Sequence, residues 1–174
     1  LYADEGKPKN KKECRKMKSL FVMCGCPGAG KSTWVQEQLK DTKYDAVWVS
    51  RDAIRFSMVA EDEEYFSRED EVFKTFCETI QKELDAGKVV YADATHLNEK
   101  SRNKTLNSLN LEGVNIYMVD LNQPVEVCLK QNENRKGTRA YVPRSVIRRM
   151  HAQFDAPTDN EKYSYTGIIS IRTN

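Results

Sequence analysis

The chain predicts an α/β fold: a central parallel five-stranded sheet with helices on both faces. Three observations carry this. From Leu20 onward, short β-rich runs alternate with helical patterns. The runs are continuously apolar, as strands covered on both faces must be. A glycine-rich loop follows the first run directly and leads into a helix-compatible segment. The expected strands are Leu20 to Cys24, Ala46 to Val49, Val89 to Ala92, Asn115 to Val119 and Ile168 to Ile171.

Helices fill the intervals. One runs from Lys31 to about Leu39. Val72, Phe73, Phe76, Ile80 and Leu84 recur at helical spacing, after a capping box expected over Ser67 to Asp70 and before a terminating Gly87. Pro124 fits the first turn of a helix carrying Val125, Cys128 and Leu129. Pro143 opens another with Val146, Ile147, Met150 and Phe154. These stripes read as core. Between the last two helices, the polar, cationic stretch Asn134 to Tyr141 contains Gly137 and reads as a mobile connection.

The 174 residues suit one domain with a full core, assigned to 19–174, and the 39% hydrophobic content lies close to the lower edge of ordinary globular composition. The formal charge of +2 conceals a cluster of Lys7, Lys9, Lys11, Lys12, Arg15, Lys16 and Lys18, which makes 1–18 a flexible basic arm. Cys14, Cys24, Cys26, Cys77 and Cys128 are odd in number and lack paired metal-ligand spacing, which argues against a disulfide framework or a zinc site. Without a long apolar run or a signal-peptide core, the expectation is a cytoplasmic chain with no membrane partner. Its opening Leu in place of Met is read as the mark of an excised or processed domain.

The segment Gly25, Cys26, Pro27, Gly28, Ala29, Gly30, Lys31 and Ser32 matches G-x-x-x-x-G-K-[ST] in its proper strand-to-helix setting. Glycines let backbone N–H groups wrap phosphate closely, and the helix N-terminus adds the positive end of its dipole. Lys31 reaches the β and γ phosphates of ATP or another nucleoside triphosphate. Ser32 is placed for the bridging Mg²⁺, and Thr33 assists from the next position. Cys26 reads as a small filler in the loop.

A cradle alone does not separate a kinase from an ATPase or a GTPase switch. Asp52 and Arg55 follow the second strand, where carboxyl ends of parallel strands converge on the ligand crevice. A carboxylate there could accept the proton of an attacking hydroxyl, and an arginine one helical turn on could grip an acceptor phosphate in a bidentate pair. The competing reading makes Asp52 a helix cap and Arg55 a surface charge. Asp93 closes the third strand and either acts on Mg²⁺ through water or orients Ser32 or a nearby arginine. Arg135, Lys136 and Arg139 form a cationic lid candidate around Gly137, against the alternative of a solvated basic loop. Tyr65 and Phe66 suit a stacked base or else belong to the core.

Taken in order, Gly25 to Trp34, then Arg51-Asp52 with Arg55, Asp93-Ala94-Thr95-His96-Leu97-Asn98, and Arg135-Lys136-Gly137-Thr138 with Val142-Pro143, resemble the phage-type polynucleotide 5′-kinase family of P-loop phosphotransferases. The resemblance runs from Leu20 to Pro157. It implies a P-loop NTPase kinase fold with a small lid. It also implies Mg²⁺-dependent transfer of the ATP γ-phosphate to the 5′-hydroxyl of DNA or RNA, without a covalent enzyme intermediate.

By position the resemblance makes Asp52 the general base, Arg55 the acceptor-phosphate clamp, Lys31 and Ser32 the cradle, and Asp93 a supporting group. The lid arginine is either Arg135 or Arg139, since Lys136 stands before Gly137 where the family can carry Arg. Other end-healing or ligase domains are implied partners, because no phosphatase signature is present. The alternatives are a kinase of small hydroxylated molecules and a nucleotide-binding switch with slow ATPase activity.

Overall fold

A computed structural model describes residues 18–41 and 43–172. The basic arm predicted over 1–18 lies outside the described residues except for Lys18. The described residues form five strands and six helices. In chain order these are β1 (Ser19–Cys24), α1 (Lys31–Asp41), β2 (Ala46–Ser50), α2 (Arg51–Met58), α3 (Glu69–Asp85), β3 (Val89–Asp93), α4 (Glu99–Asn107), β4 (Asn115–Asp120), α5 (Val125–Glu133), α6 (Arg144–Ala152) and β5 (Gly167–Ser170).

The sheet order is β2-β3-β1-β4-β5, and each neighbouring pair is parallel. The predicted strands stand where the apolar runs placed them, to within a residue at either end. The two-residue side-chain period then divides the core. Leu20, Val22 and Cys24 face one side, where Phe76, Ile80 and Leu84 of α3 and Leu106 of α4 cover them. Met23 faces the other, under Val35 of α1, Cys128 and Leu129 of α5 and Ile147 of α6. Helices on both faces leave the carboxyl ends of the strands as the open edge of the sheet.

Three local expectations shift. The capping box at Ser67 to Asp70 does not form: α3 begins one residue beyond Arg68, which supplies no side-chain cap. Arg68 instead donates from Nη1 to the Met58 carbonyl at 2.8 Å, closing the end of α2. Pro124 and Pro143 occupy the positions just before α5 and α6 rather than their first turns. Phe154 falls beyond α6 and packs with the α3 side of the core. Gly87, at φ +79°, ends α3 as expected, its N–H bonded to the Leu84 carbonyl at 2.9 Å.

The stretch from Asn134 to Tyr141 is a run of turns held at both ends. The buried Asn132 amide receives the Val142 N–H at 3.1 Å and donates to the Val142 carbonyl at 2.7 Å, pinning the exit of the loop to its entrance. No helix among the described residues is long and apolar enough to cross a membrane.

Candidate active site

The loop between β1 and α1 is shaped from behind. Gly28 lies at φ +81°, and a Cβ there would fall 2.3 Å from the Cys128 carbonyl oxygen; at Gly25 it would fall 2.9 Å from that of Leu121. The loop therefore presses its back against α5 and the end of β4, and only glycine fits these two places. Its front faces a cleft of about 260 Å³. The Gly25 N–H is tied to the Thr95 carbonyl at 2.9 Å.

Buried Lys31 folds back over the loop, donating to the carbonyls of Gly25 at 2.9 Å and Cys26 at 3.0 Å. The first-turn amides of α1, at Lys31, Ser32 and Thr33, have no preceding helical carbonyl to bond. A buried ammonium, free amides and a helix N-terminus fit a phosphate chain. Burial pushes the Cys26 thiol up to about 11, with the neighbouring Cys128 adding to the shift, so a protonated filler is what the loop holds at neutral pH.

Asp93 ends β3 with its carboxylate buried, accepting at Oδ2 from Ser32 Oγ at 3.0 Å and from Trp48 Nε1 at 3.0 Å. Asp93 thus contacts Ser32, one of the partners read for it in the sequence. A hydroxyl and a carboxylate side by side at the mouth of the cradle also suit a hard divalent cation such as Mg²⁺. Trp48 was missed by sequence reasoning, which treated β2 only as a buried strand.

The opposite wall is α2. Ser50 caps it by accepting the Ala53 N–H at 3.2 Å, which leaves Asp52 free of that task. The Asp52 side chain is 61% exposed, whereas that of Arg55 is 6% exposed. Arg55 is fully engaged: Nε and Nη2 donate to Glu69 at 2.9 to 3.0 Å, and Nη1 donates to Asp52 at 2.5 Å and to Tyr65 Oη at 3.2 Å. Its guanidinium lies 4.8 Å from the Tyr65 ring centre and 5.4 Å from that of Phe66. Burial alone would lower the Arg55 pKa, but the Glu69 hydrogen bonds together with the charges of Tyr65, Glu69 and Asp52 more than offset it, and Arg55 stays firmly cationic. Burial and the Asp52 charge together raise the Tyr65 phenol.

Glu69 also receives Arg51, whose Nε is buried without a partner. Two arginines thus meet two carboxylates on this wall. Sequence reasoning passed over Glu69, which carries no signal beyond its place in the first turn of α3.

The lid candidates separate. Arg135 lines the cleft with Ala140 and Val142, as do Lys31 and Asp52; Lys136 and Arg139 are not among its lining residues. Arg139 turns instead to the end of α2, donating to the carbonyls of Val59 at 2.7 Å and Phe56 at 3.3 Å. Val146 and Met150 of α6, read in the sequence as core alone, also reach the cleft.

The Asp93-to-Asn98 segment braces the site from below. His96 adopts φ +41°. Its Nδ1 lies 2.8 Å from the Met23 carbonyl and its Nε2 3.1 Å from Thr105 Oγ1. Since a carbonyl only accepts, the Nδ1 carries the proton and Nε2 accepts from Thr105. Burial drives the imidazole pKa down to about 4. Asn98 caps α4 in a reciprocal box with Ser101. Buried Arg102 ties the whole to the C-terminal loop through Glu161, the His96 carbonyl and the Asp155 carbonyl.

Comparison with known proteins agrees with this architecture. A family model described as an AAA domain matches residues 20–157. No curated protein matches the chain. Among solved structures, a chain of the Pnkp1/Rnl/Hen1 RNA repair complex superposes with a TM-score of 0.65 at 21% identity, covering 82% of this chain and 46% of that one. A second structure of the Pnkp1/Rnl/Hen1 complex gives 0.59 at 23% identity, over 69% and 40%. Chaetomium thermophilum Kti12 in complex with ADP-AlF3 gives 0.67 at 15% identity, over 88% of both chains. A gluconokinase from Sinorhizobium meliloti 1021 gives 0.56 at 15% identity, over 91% and 84%. The chain thus spans less than half of the repair-complex chains it matches, and at these identities the likeness is one of fold, that of P-loop kinases.

Proposed function

Since the chain belongs to the AAA domain family and has the fold of P-loop kinases, we propose that it is a Mg²⁺-dependent polynucleotide 5′-kinase, transferring the ATP γ-phosphate to the 5′-hydroxyl of DNA or RNA. One observation carries the choice of acceptor. Opposite the phosphate cradle, Arg55 sits against Asp52 and beneath the Tyr65 and Phe66 rings, and Phe66 is 59% exposed. An arginine for a phosphate, aromatic rings for a base and a carboxylate for a hydroxyl proton are what a nucleotide terminus needs.

In this reading Lys31 and the α1 amides bind the β and γ phosphates, and Ser32, supported by Asp93, holds Mg²⁺. The metal supplies charge neutralisation along the phosphate chain. Asp52 takes the proton of the acceptor hydroxyl as its oxygen bonds the γ-phosphorus and the bond to ADP breaks. Arg55 exchanges its Nη1 contacts with Asp52 and Tyr65 for the acceptor's first phosphate, and Arg135 steadies the charge on the transferring group. Companion end-healing or ligase domains would complete a repair pathway.

The balance of two arginines by two carboxylates on the α2 wall favours a second reading, a small hydroxylated acceptor, because that wall offers a polyanion no excess of positive charge. Transfer of γ-label from ATP tests both. Oligonucleotides with 5′-hydroxyl ends, nucleosides and sugars are offered in parallel. Labelling of oligonucleotides supports the first reading, and labelling confined to small molecules replaces it with the second.

A further inference from the structure

Arg139 has no place in the phosphate cradle, and its contacts describe a different task. Helix α2, which carries Asp52 and Arg55, is only eight residues long and ends in carbonyls without helical partners. Its own backbone satisfies one of these, where the Val59 N–H reaches the Arg55 carbonyl at 2.9 Å. Arg68 takes the Met58 carbonyl. Arg139 adds contacts here from the loop after α5: Nη1 donates to Phe56 at 3.3 Å and Nη2 to Val59 at 2.7 Å, with Ala60 at 3.5 Å. The guanidinium also lies 5.0 Å from the Phe56 ring centre. That ring meets Tyr65 edge-on at 6.1 Å, and Tyr65 donates to Asp52 at 3.3 Å.

The same short loop holds Arg135 at the cleft. Thr138 binds the two ends together, its N–H and Oγ both reaching the Arg135 carbonyl, at 2.9 and 2.7 Å. A loop this tightly turned does not move one arginine without the other. We propose that Arg139 is a positioning residue that couples the nucleotide side of the cleft to α2: a nucleotide that engages Arg135 fixes the loop, and Arg139 passes that order to the helix bearing Asp52 and Arg55. The engagement of Arg135 by nucleotide and the description of α2 as the acceptor helix rest on the reading above. By reciprocity, a ligand on α2 tightens nucleotide binding by the same factor.

The test is amide hydrogen exchange of the full chain with and without a non-hydrolysable ATP analogue and Mg²⁺, comparing wild type with Arg139→Ala and Arg139→Lys. In the wild type the analogue slows exchange in α2 about 5-fold or more. In Arg139→Ala it still slows the first turn of α1 but leaves α2 unchanged. Arg139→Lys, which keeps the charge without the fork, gives a response between the two and decides the matter if the alanine variant does not fold. An α2 response equal to wild type in either variant, or no α2 response in the wild type, overturns the coupling. Absence of transfer to any polynucleotide would refute the proposed acceptor while leaving this exchange result intact.

Discussion

At the scale of single residues, the two walls of the cleft divide the work in a way that kinetics resolves. In the proposed reading Lys31 serves the nucleotide, so Lys31→Ala is expected to abolish transfer and to weaken nucleotide binding with every acceptor. Arg55→Ala raises the acceptor KM by about tenfold or more, in line with the loss of a charge-assisted pair, and leaves the nucleotide KM near wild type. Initial rates at varied concentrations of each substrate check the division; a selective rise in the nucleotide KM of Arg55→Ala would contradict it. The cradle and the α2 pair were legible in the sequence because their spacing is fixed by the backbone of one loop and one helical turn. Glu69 and Trp48 were not, since each reaches its partner across the fold: Glu69 stands 14 positions from Arg55, and Trp48 stands 45 from Asp93. No local pattern announces such pairs.

At the scale of elements, the strands were readable almost to the residue because burial on both faces demands continuous apolar runs. Helix starts were less so. The Ser67-to-Asp70 pattern has the composition of a capping box, yet Arg68 occupies the position before α3 and is drawn to the end of α2. Tertiary demand overrides the local signal there. The segment from Asp93 to Asn98 shows the reverse, a stretch noticed mainly by resemblance in which several residues brace an element. Thr95 anchors the cradle, His96 bonds β1, and Asn98 caps α4. Asn98→Ala removes the cap and lowers stability by about 1 kcal/mol, measured by denaturant unfolding. An unchanged midpoint would mean that Ser101 and the helix dipole hold α4 without it.

At the scale of the whole molecule, a buried polar seam joins the α4 side of the core to the C-terminal loop, and it makes stability depend on acid. His96 is held neutral, with a pKa near 4 in place of 6.5. As pH falls below 6.5 the unfolded chain binds a proton that the folded chain refuses, so stability declines from about 6.5 down to about 4 and rises again with pH over the same range. The loss amounts to about 3 kcal/mol. Burial would raise the Glu161 carboxyl, but the hydrogen bonds from Arg102, Tyr165 and the Thr158 N–H, with the Arg102 charge, together outweigh it and hold Glu161 below the usual carboxylate range, which removes further stability as pH falls through the acid region beneath that. His96→Asn, which tolerates the left-handed backbone, flattens the upper part of this slope. Thermal unfolding between pH 4 and 7 measures it, and an equally steep slope in the variant would place the acid sensitivity elsewhere.

The central claim is that one cleft joins a phosphate cradle to an acceptor held by α2, with Asp52 as the base that serves a polynucleotide 5′-hydroxyl. The most direct measurement follows γ-label from ATP into 5′-hydroxyl DNA and RNA oligonucleotides, for wild type and Asp52→Ala, with nucleotide binding verified for both. The account predicts labelled oligonucleotide from the wild type and a rate lower by about 100-fold to 10,000-fold in the variant. Equal transfer by the two proteins, or labelling of nothing but small hydroxylated molecules, would contradict it.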